Sequence, residues 1–123
     1  MADLPDRGDF IFLDFSPQTG TEQRGRRPAL VLSPKEFNKV TGYASVCPIS
    51  QTEREWPFNM DIPDGLAVQG VVITDQVKNL DWKTRNAEVV GQAPNDFVNK
   101  VVQVIHTYIY EVIEDNRGFS SLK

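Results

Sequence analysis

The segment Glu22-Gln23-Arg24-Gly25-Arg26-Arg27 gathers three arginines in a chain that has one histidine, His106, and one cysteine, Cys47. That inventory narrows the chemistry. A single histidine supplies neither an acid–base pair nor a histidine metal cluster, and a single cysteine excludes an internal disulfide framework or a multi-cysteine zinc site. No metal and no cofactor is expected. Anion chemistry remains, because a guanidinium presents a planar fork of donors that stays charged at any working pH. Such a group suits a phosphate or a phosphorane-like transition state. Arg27 precedes Pro28, which disfavours helical geometry and keeps the arginine backbone extended where a loop rejoins a strand. A guanidinium anchored there is pre-positioned for phosphate.

The elements around this group read as strands followed by a helix. Residues 15–28 (FSPQTGTEQRGRRP) are polar, hold two glycines and separate two apolar strands, so they are expected to form a long, exposed and functional loop. The flanking strands, Phe10 to Phe15 and Ala29 to Leu32, are apolar enough to be central. Tyr43 to Ile49, Val71 to Asp75 and Arg85 to Val90 read as further strands. In Phe58 to Ile62, apolar residues alternate with Asn59 and Asp61, giving a strand with one wet face and a total of about six strands. Ser33-Pro34-Lys35-Glu36 predicts a serine-capped helical turn that ends near Gly42. From Asn95 to about Glu114, apolar residues from Phe97 through Ile113 recur at four-residue steps, predicting an amphipathic helix. Cys47, between Val46 and Pro48, reads as a small buried hydrophobe, and His106 as a surface residue.

The whole is one mainly β domain with a C-terminal α-helix over 1–123: strands about 9–92, helix about 95–114, tail 115–123. The chain's 123 residues, 13.9 kDa, 40% hydrophobic and 24% charged, suit a single globular core. A formal net charge of −4 argues against a general charge-driven nucleic-acid coat but leaves room for a local basic site. No apolar stretch reaches membrane-helix length, and MADLPDRGDF is unlike a signal peptide, so a cytoplasmic protein with no membrane partner is expected.

The ordered set Gly8-Asp9, Asp14-Phe15-Ser16-Pro17, Gly20-Thr21-Glu22-Gln23 and Arg27-Pro28-Ala29-Leu30-Val31-Leu32-Ser33 carries a resemblance. It continues through Phe37-Asn38, Thr41-Gly42, Pro48-Ile49-Ser50, Trp56-Pro57-Phe58, Gly70-Val71-Val72 and Asp75-Gln76-Val77-Lys78. Over nearly its full length the chain resembles the MazF and PemK family of type II toxin–antitoxin endoribonucleases. The resemblance implies a small SH3-like barrel of the CcdB/PemK-like toxin type. It also implies metal-independent cutting of single-stranded RNA or mRNA at short motifs, leaving 2′,3′-cyclic phosphate and 5′-hydroxyl ends. A homodimer is implied, as is a cognate MazE-like antitoxin whose acidic segment masks the RNA groove.

Carried over by position, Arg27 matches the family's catalytic arginine, and Ser50 stands where many members have a catalytic threonine. Serine keeps the hydroxyl. Glu22 matches the loop glutamate near the scissile phosphate and is the candidate general base. Gln23, Arg24, Arg26, Asp75 and Lys78 are candidate RNA contacts, and Trp56 and Trp82 candidate stacking surfaces, since single-stranded bases are held by aromatic faces and backbone charge. The plasmid-borne branch fits less well, because its arginine two residues before Asp75 is Ile73 here and its histidine is Thr21. Two other readings stand beside the nuclease. A CcdB-like gyrase poison is one, disfavoured because the chain ends Gly118-Phe119-Ser120-Ser121-Leu122-Lys123 where that group ends Trp-Gly-Ile; a barrel that binds RNA without cutting it is the other.

Overall fold

A computed structural model of the chain describes residues 1–15, 25–52 and 56–115. Its elements run β1 (Asp9–Asp14), β2 (Arg26–Val31), α1 (Lys35–Thr41), β3 (Tyr43–Ser50), β4 (Asn59–Asp61), β5 (Val71–Ile73), β6 (Lys78–Asp81), β7 (Glu88–Gln92) and α2 (Asn95–Asp115). The strands form one antiparallel, barrel-like sheet in the order β4-β5-β3-β2-β1-β7, with β6 on β3. Mainly β structure closed by a C-terminal helix is therefore the architecture.

The apolar run at the start of the chain is explained by burial on both sides of the sheet. Phe10 and Leu30 face a core cluster that includes Phe97, Val98 and Val101 of α2. Ile11, Leu13, Ala29 and Val31 face a second cluster with Leu80 and Trp82. Successive side chains of a strand point to opposite faces, so the central stretches Phe10 to Leu13 of β1 and Ala29 to Val31 of β2 need consecutive apolar residues to fill two cores. Fully burying one such side chain contributes about 1.5–3 kcal/mol.

Several boundaries differ from the sequence expectation, each for a local reason. Arg85 is not in β7: Arg85 N–H and Ala87 N–H donate to the Asp81 and Trp82 carbonyls, and Asn86 takes φ 54°, so a turn occupies the expected strand start. β5 stops at Ile73 because a turn begins there, the Gln76 N–H donating to the Ile73 carbonyl at 3.3 Å, while Thr74 keeps one last link to the neighbouring segment, its N–H and hydroxyl both donating to the Phe58 carbonyl. β6 was not expected, since only Leu80 in Lys78-Asn79-Leu80-Asp81 is apolar; it forms by adding to the edge of β3. Ser33 does not cap α1. Its hydroxyl donates to Asn38 Oδ1 at 2.6 Å, while Asp6 Oδ1 accepts the Lys35 N–H at 2.9 Å and satisfies the helix start from a distant segment. Gly42 ends the helix as expected, with φ 79° and its N–H on the Asn38 carbonyl.

One proline sets the geometry that matters for function. β2 pairs with β3 only through Ala29↔Pro48, Leu30↔Cys47 and Val31↔Val46. Proline lacks the N–H that a ladder needs; the next pair in this register sets Pro28 opposite Ile49, where β2 has no donor to give, and the two strands part. Beyond it, β3 turns to β5 through Ile49↔Val72 and Ser50↔Val71. A cleft opens between the separated strand ends.

Candidate active site

The cleft measures about 280 Å³, and Arg27 and Ser50 lie in its wall with Pro48 and Ile49. Phe15, Ile73, Gln76 and Lys78 complete the lining. Arg27 and Lys78 thus bring two cations together with a hydroxyl, and among the described residues no carboxylate lines the wall. Among the described residues no hydrogen bond or ion pair engages the Arg27 guanidinium. In a chain of net charge −4 this is a local concentration of positive charge, carried on strands.

β2 separates the two neighbouring arginines by alternation. Arg27, opposite Leu13 in β1, reaches the cleft. Arg26, on the other face, bonds Asp14 Oδ1 at 3.3 Å, the Asn86 carbonyl at 2.8 Å and Glu88 Oε1 at 3.5 Å. Its charge is consumed within the sheet, and the structure places it away from the cleft rather than beside Arg27.

Ser50 is half-buried at the end of β3. Its Oγ accepts the Thr52 N–H at 3.2 Å and donates to the Thr52 carbonyl at 3.3 Å. The donated bond is long, so the hydroxyl proton can turn to an incoming phosphoryl oxygen at little cost. Ser50 also borders a second cleft of about 330 Å³, which contains Asp61, Asp64 and Gln69. Gly70 fixes the spacing between them: with φ +125°, a Cβ built there would lie 2.4 Å from the Ser50 carbonyl oxygen.

The two tryptophans have different fates. Trp82 is 7% exposed and its indole N–H donates to the Asn38 carbonyl at 2.9 Å, so it is a core residue and offers no face to a base. Trp56 is 51% exposed and its N–H donates to Asp75 Oδ2 at 3.0 Å. Asp75 itself is exposed and lies between cleft residues Ile73 and Gln76. Its charge helps, after burial, to push the Cys47 thiol up to about 12, which keeps Cys47 protonated and unreactive. Burial likewise raises Tyr108, with Cys47 and Asp75 adding to the effect. His106 is exposed on α2.

Thr21, Glu22, Gln23 and Arg24 lie outside the described residues, as do 116–123 of the tail. Among the described residues no group of three or more His, Cys, Asp or Glu could hold a metal ion, and no helix is long and apolar enough to cross a membrane. Gln76 and Gly70 were not singled out as site residues. A glycine directly before a strand does signal a close backbone approach, whereas nothing local marks Gln76.

The described site is a cleft in a small, barrel-like β fold that gathers an arginine, a lysine and a hydroxyl, groups chemically suited to phosphate esters. Residues 6–109 match the family described as PemK-like, MazF-like toxin of type II toxin-antitoxin system. Endoribonuclease toxin MazF of Escherichia coli (strain K12) is 41% identical over 88 residues, covering 72% of this chain and 78% of that protein. Endoribonuclease PemK of Escherichia coli is 30% identical over 109 residues, 85% of this chain and 81% of its own. A MazE–MazF crystal structure from Deinococcus radiodurans aligns with TM-score 0.78 at 37% identity, covering 88% of this chain and 97% of that one. The chain belongs to the PemK-like, MazF-like toxin family and is a MazF-type endoribonuclease toxin.

Proposed function

We propose that the protein cuts single-stranded RNA, mRNA included, at the Arg27–Ser50 cleft by internal transphosphorylation. The 2′-oxygen attacks the adjacent phosphorus and loses its proton to a base. The bond from phosphorus to the 5′-oxygen breaks, and that oxygen leaves as a hydroxyl once protonated. The products carry a 2′,3′-cyclic phosphate and a 5′-hydroxyl. Negative charge grows on the phosphoryl oxygens in the transition state, so donors aimed at those oxygens accelerate the step. Arg27 supplies the charged fork, Ser50 a hydroxyl donor, and Lys78 a point charge for the same or a flanking phosphate. Glu22 is the general base and Gln23 and Arg24 RNA contacts on the strength of the resemblance, while Trp56 offers a base its exposed ring.

The observation that carries this reading is the Arg27 guanidinium, without a partner among the described residues, sharing one cleft with Ser50 and Lys78. Because the chain supplies its own cations there, the reaction is proposed to run without metal. A MazE-like antitoxin is the proposed protein partner, in line with the MazE–MazF structures that align with this chain. A homodimer acting in the cytoplasm completes the proposal.

The test is incubation of the protein and its Arg27→Ala variant with a long single-stranded RNA in excess EDTA, mapping cuts and identifying ends. Discrete cuts with cyclic-phosphate ends, lost in the variant, are expected. Cutting that survives both Arg27→Ala and Ser50→Ala would remove the assigned roles. Absence of cutting by the native protein would favour a barrel that binds without catalysis.

A further inference from the structure

We propose that Asp75 is a positioning residue: through the indole N–H of Trp56 it holds that ring as a preset stacking platform for a nucleobase beside the Arg27–Ser50 cleft. The inference rests on the reading that RNA lies in that cleft.

The Trp56 Nε1–H donates to Asp75 Oδ2 at 3.0 Å, while about half of the tryptophan surface stays exposed. With its polar atom satisfied, the ring has only apolar faces left to offer solvent, a surface that any base can stack on. Both ends of the bridge are anchored. On the tryptophan side, the Trp56 carbonyl accepts the Asn59 N–H at 3.0 Å at the start of β4. On the aspartate side, the adjacent Thr74 is buried, with its hydroxyl on the Phe58 carbonyl at 2.7 Å and its own carbonyl accepting the Tyr108 hydroxyl at 2.8 Å. Tyr108 also meets Phe58 edge-on, with ring centroids 5.8 Å apart. Helix α2 therefore braces the strand end that carries Asp75.

The aspartate end of the bridge is tied to the wall of the cleft. Ile73 and Gln76 line that cleft on either side of Asp75 in sequence, so a ring fixed to Asp75 is fixed relative to the bound phosphate. Holding a ring before the ligand arrives removes an ordering cost from binding. The effect belongs in KM rather than in the chemical step, because the carboxylate touches tryptophan and not the reacting atoms.

The test compares Asp75→Ala, Asp75→Asn and Trp56→Phe, singly and combined, by steady-state cleavage of a long single-stranded RNA. It adds quenching of tryptophan emission by a mixed-sequence 2′-O-methyl oligoribonucleotide, whose blocked 2′-oxygen cannot react. Removal of the acceptor in Asp75→Ala is expected to raise KM about 2- to 12-fold, the worth of one immobilised side chain, with kcat held. Asn, which keeps a carbonyl acceptor, recovers most of that loss. In the Trp56→Phe background, where no indole N–H remains, Asp75→Ala adds no further effect. The Trp56 emission loses its saturable quenching at native probe concentrations in Asp75→Ala, while the buried Trp82 reports an intact fold.

A collapse of kcat in both Asp75 variants would overturn the proposal and make the carboxylate itself a participant in the chemistry. So would an equal effect of Asp75→Ala in the native and Trp56→Phe backgrounds. Failure of the underlying cleft reading has a separate readout, since Arg27→Ala would then cut like the native protein whatever the Asp75 variants do.

Discussion

Gly70→Ala tests whether the Ser50 hydroxyl, the proposed donor to the phosphoryl oxygen, is placed by the backbone packed behind it. The new Cβ would lie 2.4 Å from the Ser50 carbonyl oxygen, 3.2 Å from its carbonyl carbon and 3.3 Å from Gln51 Cα. Ordinary contact begins near 3.4 Å, so either Ser50 or the start of β5 has to give by about 1 Å. Every close neighbour is backbone and cannot rotate aside. Alanine at φ +125° also carries strain of about 1–3 kcal/mol, which lowers the melting temperature by several degrees. A displacement of about 1 Å at a reacting group costs on the order of 100-fold in rate, and the Ser50→Ala loss sets the ceiling. Gly42→Ala is the matched control, since Gly42 also has a positive φ (79°) but nothing within 4 Å of its Cβ. The assay is single-turnover cleavage of a long RNA beside thermal unfolding for both variants. The expected result is loss of stability in both and loss of kcat in Gly70→Ala alone. A Gly70→Ala protein that is destabilised yet cuts at the native rate would refute the link between this contact and the hydroxyl.

Arg27→Ala is expected to lower kcat by about two to three powers of ten, roughly 2.7–4 kcal/mol, whereas Arg27→Lys restores RNA binding with little turnover because a point charge lacks the planar fork; native turnover in the lysine variant, measured with saturating RNA, would show that charge alone suffices. Arg26→Ala is expected to lower stability by about 0.2–1 kcal/mol, the worth of a partly exposed ion pair, with cleavage kinetics close to native, and a loss of cleavage comparable to that of Arg27→Ala would place Arg26 at the RNA instead. Cys47 titrates near 12 in the folded protein against an ordinary 9.0. Its contribution to stability is therefore full below pH 9. It falls by about 1.4 kcal/mol per pH unit between 9 and 12 as the unfolded thiol alone ionises. Denaturant unfolding across that window should show a steeper decline for the native protein than for Cys47→Ala.

The strand order of residue types made part of this site legible. The extended backbone expected at Arg27 from the following proline is found, since β2 carries it and brings it to the cleft wall; its proposed role toward phosphate rests on that placement. What the linear pattern hid was alternation: Arg26 and Arg27 look equivalent in a basic loop, yet β2 begins at Arg26 and sends them to opposite faces. For Trp82 packing is slightly favoured over stacking from the sequence, but its partner was hidden for a related reason: Asp81 and Lys83 advertise a turn, while the ring packs inward and finds the Asn38 carbonyl, 44 residues away in sequence. Likewise Asp6 caps α1 from 29 residues away, so the local Ser33 pattern misidentified the cap. Such partners are set by tertiary contacts, which no local period records.

The cleft itself follows from a conflict between sequence and sheet. Central strands favour continuous pairing, and half of the residues in each of β2 and β3 are buried. Placing Pro28 opposite Ile49, where the ladder should continue, ends it at Ala29↔Pro48, and β3 goes on to pair with β5 instead. The cost of a shortened ladder is thus confined to one point. It yields two strand ends that diverge while remaining rigid, one carrying Arg27 and the other Ser50. A flexible loop could bring the same two side chains together, but it would have to order them during each turnover. On this reasoning Pro28→Val, which restores to β2 an N–H facing Ile49 of β3 and permits pairing to run toward Arg27, should narrow the cleft. Its expected signature is a protein at least as stable as the native one that cleaves RNA more slowly. Unchanged cleavage kinetics in a demonstrably stabilised Pro28→Val protein would show that the break in the ladder is not what holds the site open.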